Sequence, residues 1–287
     1  MPELPEVEVV RRSLSKFING QKIKKVHIFN RNLRYKIDKN LKIFVENQKV
    51  ISTKRKSKYL LIELSNNYII LLHLGMTGKI FIHEKNTTHK TSFYYDNFFL
   101  KKHNHFSFEF NKSKKIIYND VRKFGFVKIL KKSEVKSSSH LRFLGPDPLS
   151  GKFKNEYLKN KLSKTKKSVK NFFMDQKYVS GIGNIYANEI LHLSSINPRK
   201  KTFKIKKKLI PYLVKNTKLI LKKSIKYGGS SIKDFKGISG KKGDFQEEFK
   251  VYEREGLECK KRGCNGKIKK IYISNRSSFF CPKCQSN

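Results

Sequence analysis

The 287 residues carry 66 Lys plus Arg against 22 Asp plus Glu, a formal net charge of +44. A chain so basic repels itself unless a polyanion is present, so nucleic acid is the expected partner. The longest apolar run, "YIILLHLGM", is far too short to span a bilayer, and the acidic start does not read as a targeting segment. We therefore expect a cytoplasmic protein whose thiols stay reduced. Only 11 of the 66 basic residues are Arg, so part of the charge reflects a Lys-rich composition.

The chain opens with "MPELPEVEVVRRSL", two prolines and three carboxylates in a strongly basic protein. Val7, Val10, Leu14 and Phe17 recur at helical spacing, which predicts an amphipathic N-terminal helix. Glu6 lies in its first turn, where the helix dipole favours an anion. Capping explains Glu6 but not a proline at position 2. From about residue 22 to 130 the pattern turns to short strands. "YLLIEL" and "YIILLHL" flank "SNN" as a hairpin, "HFSFEF" alternates Phe106, Phe108 and Phe110, and "KIIY" and "FGFVKIL" follow after turns. This predicts an antiparallel sandwich or flattened barrel over residues 1–132.

"KKSEVKSSSH" reads as the start of a linker, whose bounds are set at 133–150. A helical segment is expected over 151–249, including "SVKNFFMDQKYV" and "NIYANEILHL", with the latter helix starting at about Asn184. "GIGN" just before it presents free backbone N–H groups to an anion. Residues 228–245 are rich in Gly, Ser and Lys and are expected to form a mobile loop. The predicted class is α+β, with the last segment, 250–287, holding every cysteine.

Cys259, Cys264, Cys281 and Cys284 form C-x4-C-x16-C-x2-C. Two close pairs of thiolates suit one tetrahedral, structural zinc ion, and "KIKKIYISNRSSFF" between them reads as a β-hairpin.

Five motifs in order, "PELPEVE", "HLGMTG", "DVRKFG", "GIGNIYANEIL" and the four-Cys hairpin, resemble formamidopyrimidine-DNA glycosylase over nearly the whole chain. The resemblance implies that Met1 is removed and that the secondary amine of Pro2 is the nucleophile attacking the sugar C1′ of a damaged nucleotide. It implies Glu3 as the residue exchanging protons with the opening sugar, Lys58 as a second catalytic amine, and Arg276 at the last elimination step. A damaged base must leave the stack before chemistry. Met76 is then the wedge, Arg122 faces the orphaned base, and Phe124 stacks beside it. Phosphate contacts are implied for His73, His103, Lys123, Lys166 and Asn184, and residues 228–245 match the segment that closes over the flipped base.

Three places depart from the family pattern. The first cysteine pair is spaced by four residues rather than two, Val121 and Lys123 stand where a Pro and a second Arg are usual, and the stretch 83–104 is longer. The activity implied is a bifunctional glycosylase and abasic-site lyase for oxidised purines in double-stranded DNA, acting as a monomer. An endonuclease VIII-like enzyme for oxidised pyrimidines is the nearest alternative, although its opening usually runs "PEGPE". A non-catalytic basic zinc-ribbon protein also fits the charge and cysteines, but leaves the acidic opening unexplained.

Overall fold

The computed structural model describes residues 2–84, 100–111, 113–230 and 245–286, and the backbone of 87–90. The chain divides into two compact units: Met1–Arg142 with Tyr227–Asp244, and Phe143–Lys226 with Phe245–Asn287. The four-cysteine segment thus groups with the helices.

The first unit starts with helix α1 (Leu4–Ile18), whose first turn contains Pro5, a position where a missing N–H costs nothing. Val7, Val10, Leu14 and Phe17 are each at most 9% exposed, as the spacing predicts. Burying each such side chain contributes about 1.5–3 kcal/mol. They join one apolar core with residues from both faces of a sandwich. One sheet contains β1 (Lys25–Ile28), β5 (Lys79–Glu84), β6 (Thr87–Lys90), β7 (Asn104–Asn111) and β8 (Lys114–Asn119), in the order β1-β7-β8-β5-β6. The other contains β2 (Val50–Lys56), β3 (Tyr59–Leu64), β4 (Tyr68–His73) and β9 (Phe126–Lys131), in chain order. All pairings are antiparallel. A short helix α2 (Leu41–Val45) lies between β1 and β2. Phe106, Phe108 and Phe110 all point into the core, so the alternation of "HFSFEF" reads out directly.

The expected linker is partly pinned. His140 packs its ring against Phe126 at 4.7 Å and Tyr35 at 5.5 Å. The long stretch 83–104 falls partly outside the described residues, as do 231–244 of the expected mobile loop.

The second unit contains α3 (Asn155–Ser163), α4 (Val169–Met174), α5 (Asn184–Leu193) and α6 (Ile210–Lys226), then the hairpin β10 (Lys269–Ile273) and β11 (Arg276–Phe280). "SVKNFFMDQKYV" is helical only to Met174. The Asp175 N–H closes the helix by donating to Asn171 O at 3.0 Å, and a turn follows into "GIGN". Ser274 and Asn275 both take positive φ, 47° and 56°, the conformation a two-residue hairpin turn requires.

Candidate active site

The acids of the opening segment are engaged within their own unit. Glu6 Oε2 accepts the Glu3 N–H at 2.9 Å, while Oε1 accepts the Ser230 N–H at 2.9 Å and its hydroxyl at 3.0 Å. Gly229 passes beside this carboxylate at φ 87°, and a Cβ there would stand 3.1 Å from Glu6 Oε1. Both the conformation and the close approach select glycine. Pro2, Glu3 and Glu6 are all buried, so the first turn of α1 is fixed from residue 2 onward. Glu8 turns to Arg11 at 2.8 Å and to Arg12 and Arg55 at 3.1 Å. Burial works to raise its carboxyl, but the Arg11 and Arg55 guanidinium groups hold it below the usual range.

Lys58 sits in the two-residue turn between β2 and β3, where Ser57 takes φ 57°, and is only 6% exposed. Its charge acts on His73 at the end of β4. Burial first, then Lys58, Arg34 and His140, push His73 down to about 4. The Gly75 N–H donates to His73 Nδ1 at 3.1 Å, so the neutral ring carries its proton on Nε2. That leaves an uncharged N–H donor held by stacking on Phe126 at 5.5 Å.

Two loops meet at Asp120, which is completely buried. One follows β4 and contains "LGMTG"; the other follows β8 and is "DVRKFG". Asp120 Oδ1 accepts the Thr77 hydroxyl at 2.5 Å, and Oδ2 accepts the Gly125 N–H at 2.8 Å and the Tyr118 hydroxyl at 3.3 Å. Thr77 Oγ1 in turn accepts the Arg122 N–H at 3.0 Å. The backbones touch so closely that a Cβ on Gly75 would collide with the Gly125 nitrogen. Met76 and Phe124 remain 36% and 46% exposed despite being apolar, with Arg122 Cζ 4.7 Å from the Phe124 ring centroid. Lys123 is exposed at φ 56°, and the His103 carbonyl accepts the Asp120 N–H at 3.0 Å. Five of the sequence-predicted residues therefore gather around one clamp.

In the second unit, Asn184 begins α5 as predicted. Gln176 shapes the turn before it: its Oε1 accepts the Gly181 N–H at 2.7 Å, and its Nε2 donates to the Ile182 carbonyl at 2.8 Å. Asn184 Oδ1 is buried and has no partner among the described residues. Lys166 is exposed on the loop before α4. Arg276 is exposed next to the hairpin tip, and Lys170 anchors the strand behind it. Lys170, itself 0% exposed, donates to the Ser277 carbonyl at 2.8 Å and to Ser278 Oγ at 2.6 Å.

Sequence reasoning missed Asp120, Ser230, Gln176 and Lys170. None of the four stood out in the sequence; Lys170 is one lysine among 55.

The four cysteine sulfurs lie within 4.8 Å of one another, Cys259 and Cys284 at 3.7 Å and Cys264 and Cys281 at 3.6 Å. Zinc–sulfur bonds of about 2.3 Å in a tetrahedron require sulfurs about 3.8 Å apart, so the set fits zinc. The four-residue spacing of the first pair is accommodated. A Cβ on Gly266 would press to 2.7 Å from Cys281 Sγ, so glycine keeps the space open. The local core is Val251, Cys259, Ile268, Phe279 and Cys281. A core this small is the kind that a bound metal commonly reinforces.

Residues 1–127 match the formamidopyrimidine-DNA glycosylase N-terminal domain, and residues 144–236 match the formamidopyrimidine-DNA glycosylase H2TH domain. The chain belongs to the formamidopyrimidine-DNA glycosylase family. It is 36% identical to the formamidopyrimidine-DNA glycosylase of Dinoroseobacter shibae over 285 residues, covering 99% of this chain and 100% of the relative. The Rickettsia bellii enzyme of the same name is 38% identical over 285 residues, covering 99% of each. Among solved structures, a Lactococcus lactis FPG mutant bound to DNA containing Fapy-dG superposes with a TM-score of 0.87 at 33% identity, covering 100% of both chains. The wild-type Lactococcus protein bound to DNA containing an oxidised pyrimidine gives 0.85 at 33% identity, again over 100% of both.

Proposed function

We propose that this chain is a DNA glycosylase of base excision repair that removes oxidised purines from double-stranded DNA and then cleaves the strand. The observation that carries this reading is the Asp120 clamp. It fixes an exposed Met, an exposed Phe and an Arg side by side. An apolar wedge, a stacking ring and a fork of donors are what a protein needs to hold open the gap left by an extruded base. The names of the relatives support glycosylase chemistry.

After removal of Met1, the Pro2 nitrogen attacks C1′ as the glycosidic bond breaks, and Glu3 protonates the sugar ring oxygen as the ring opens. The resulting iminium acidifies C2′. Loss of that proton expels the 3′ phosphate, and a second elimination expels the 5′ phosphate, with Arg276 assisting. Lys58 and His73 are the cation and the neutral donor for the flanking phosphates. Asn184, at the positive end of the α5 dipole, takes a further phosphate, with Lys123, Lys166 and His103 adding contacts. The four cysteines would hold one structural zinc, which supplies a rigid base for the hairpin carrying Arg276.

No helix among the described residues is long and apolar enough to cross a membrane. The proposed working form is a monomer on chromosomal DNA in the cytoplasm, a reading that rests on the basic charge and on the DNA-bound structures of the relatives. The test is single-turnover excision from duplexes carrying 8-oxoguanine, a formamidopyrimidine or an oxidised pyrimidine. Faster release of the two purine lesions, followed by strand cleavage, is expected. Preference for the pyrimidine would favour the endonuclease VIII-like reading, and no release from any duplex would leave only a binding protein.

A further inference from the structure

Helix α5 meets the cysteine segment at three consecutive points. Asn188 Oδ1 accepts the Phe279 N–H at 3.0 Å, just before Cys281. Glu189 accepts the N–H groups of Lys250, Val251 and Tyr252 at 2.9, 3.0 and 2.9 Å. One turn later, His192 places Nε2 3.3 Å from Cys259 Sγ. Both partners are buried, His192 at 3% and Cys259 at 7% exposure.

A metal-bound thiolate has no proton to donate, so the nitrogen must be the donor in this contact. Four thiolates around one divalent cation leave two surplus negative charges inside a small, partly buried core. Hydrogen bonds to the sulfurs disperse that charge and fix the ligand's direction. The Lys261 N–H already serves Cys259, and His192 supplies a second donor from a different element.

We infer that His192 is a positioning residue of the metal centre, donating its Nε2–H to the Cys259 thiolate and so tying metal retention to helix α5. The inference rests on the cysteine set binding zinc. The sulfur set is complete with four members, so His192 stands outside the ligand sphere. The same helix begins at Asn184, eight residues or about 12 Å away, at the end where the proposed function places a phosphate. One helix thus carries the metal contact near one end and the anion site at the other.

The test compares the full chain with His192→Phe, which fills the space without a donor, and His192→Gln, which restores an N–H. Cobalt(II) is loaded in place of zinc, its spectrum is recorded, and affinity is measured by chelator competition. We expect all three proteins to show a four-sulfur spectrum, with His192→Phe weaker by about 10–100-fold and His192→Gln recovering most of the loss. Equal affinities would overturn the inference. A nitrogen-containing spectrum in the wild type that becomes all-sulfur or incomplete in His192→Phe would also overturn it, by making His192 a ligand. Wild-type protein that takes up no cobalt or zinc would instead remove the metal reading itself. Cadmium-113 NMR on the wild type needs no variant to fold. Scalar coupling from the metal to the His192 Hε2 proton is expected across the hydrogen bond, and its absence in a loaded protein would refute the contact.

Discussion

Replacing Asp120 by alanine should loosen the two loops that present Met76, Arg122 and Phe124. The carboxylate is 0% exposed and accepts from Thr77, Gly125 and Tyr118. Its removal leaves the buried Gly125 N–H and the Thr77 hydroxyl without their acceptor. Each such loss costs about 1–3 kcal/mol, so we expect Asp120→Ala to destabilise the first unit by about 3–5 kcal/mol. In a domain of this size that lowers its unfolding temperature by about 6–20 °C. Asp120→Asn can turn its amide nitrogen toward Thr77 Oγ1 and keep an oxygen on Gly125, which limits its cost to about 1–2 kcal/mol. Misplacing positioning groups by an ångström costs about 100-fold in rate, so lesion excision from duplex DNA should fall by that order in Asp120→Ala. Cleavage of a preformed abasic site in single-stranded DNA needs no base eviction and should fall much less. Single-turnover kinetics on the two substrates, with thermal unfolding of each variant, reads all of this. Unchanged duplex excision in Asp120→Ala, or a stability loss under about 1 kcal/mol, would refute the clamp argument.

His73 should stay neutral to well below the usual imidazole range, titrating at about 4, with its proton on Nε2. Its ordinary value of 6.5 applies to the unfolded chain, so its contribution to stability is complete above 6.5 and is lost as pH falls from 6.5 through 4. Nitrogen NMR of the ring follows the titration directly, and a midpoint near 6.5 would contradict the burial argument. Because a neutral donor releases no counterion, His73→Gln should weaken DNA binding without changing its salt slope. Arg122 can only donate, and orphaned cytosine offers two adjacent acceptors where adenine places an amino donor beside its N1. Excision opposite cytosine should therefore be favoured over adenine by about 1–3 kcal/mol, and Arg122→Ala should flatten the ratio. An unchanged ratio would assign the reading to another residue.

What the sequence displayed was periodicity and punctuation. Val7, Val10, Leu14 and Phe17 announced α1, the alternating phenylalanines announced β7, and α5 starts at the residue its motif predicts. These signals are local, because helix and strand spacing write themselves into neighbouring positions. The clamp was not legible, since Thr77 and Asp120 are 43 residues apart and each is an ordinary polar residue alone. The Glu6–Ser230 contact spans 224 positions and was equally hidden. The helical reading of "SVKNFFMDQKYV" ran past Met174 because Tyr178 and Val179 continue an apolar pattern. Their packing belongs to a turn that Gln176 and Gly181 organise, and Gly181 sits at φ 90°. Lys170 was invisible for a compositional reason. In a chain of 55 lysines, a buried one carries no mark until its two oxygen partners are seen.

The central claim is that residue 2 does the chemistry, and borohydride trapping tests it most directly. Protein processed to begin at Pro2 is incubated with lesion-containing duplex and reduced, and the cross-linked peptide is sequenced. The account predicts a single adduct on the Pro2 nitrogen, and none when Met1 is retained, because the nitrogen is then an amide. An adduct on Lys58 or any other lysine, or efficient trapping by the Met1-bearing protein, would contradict it.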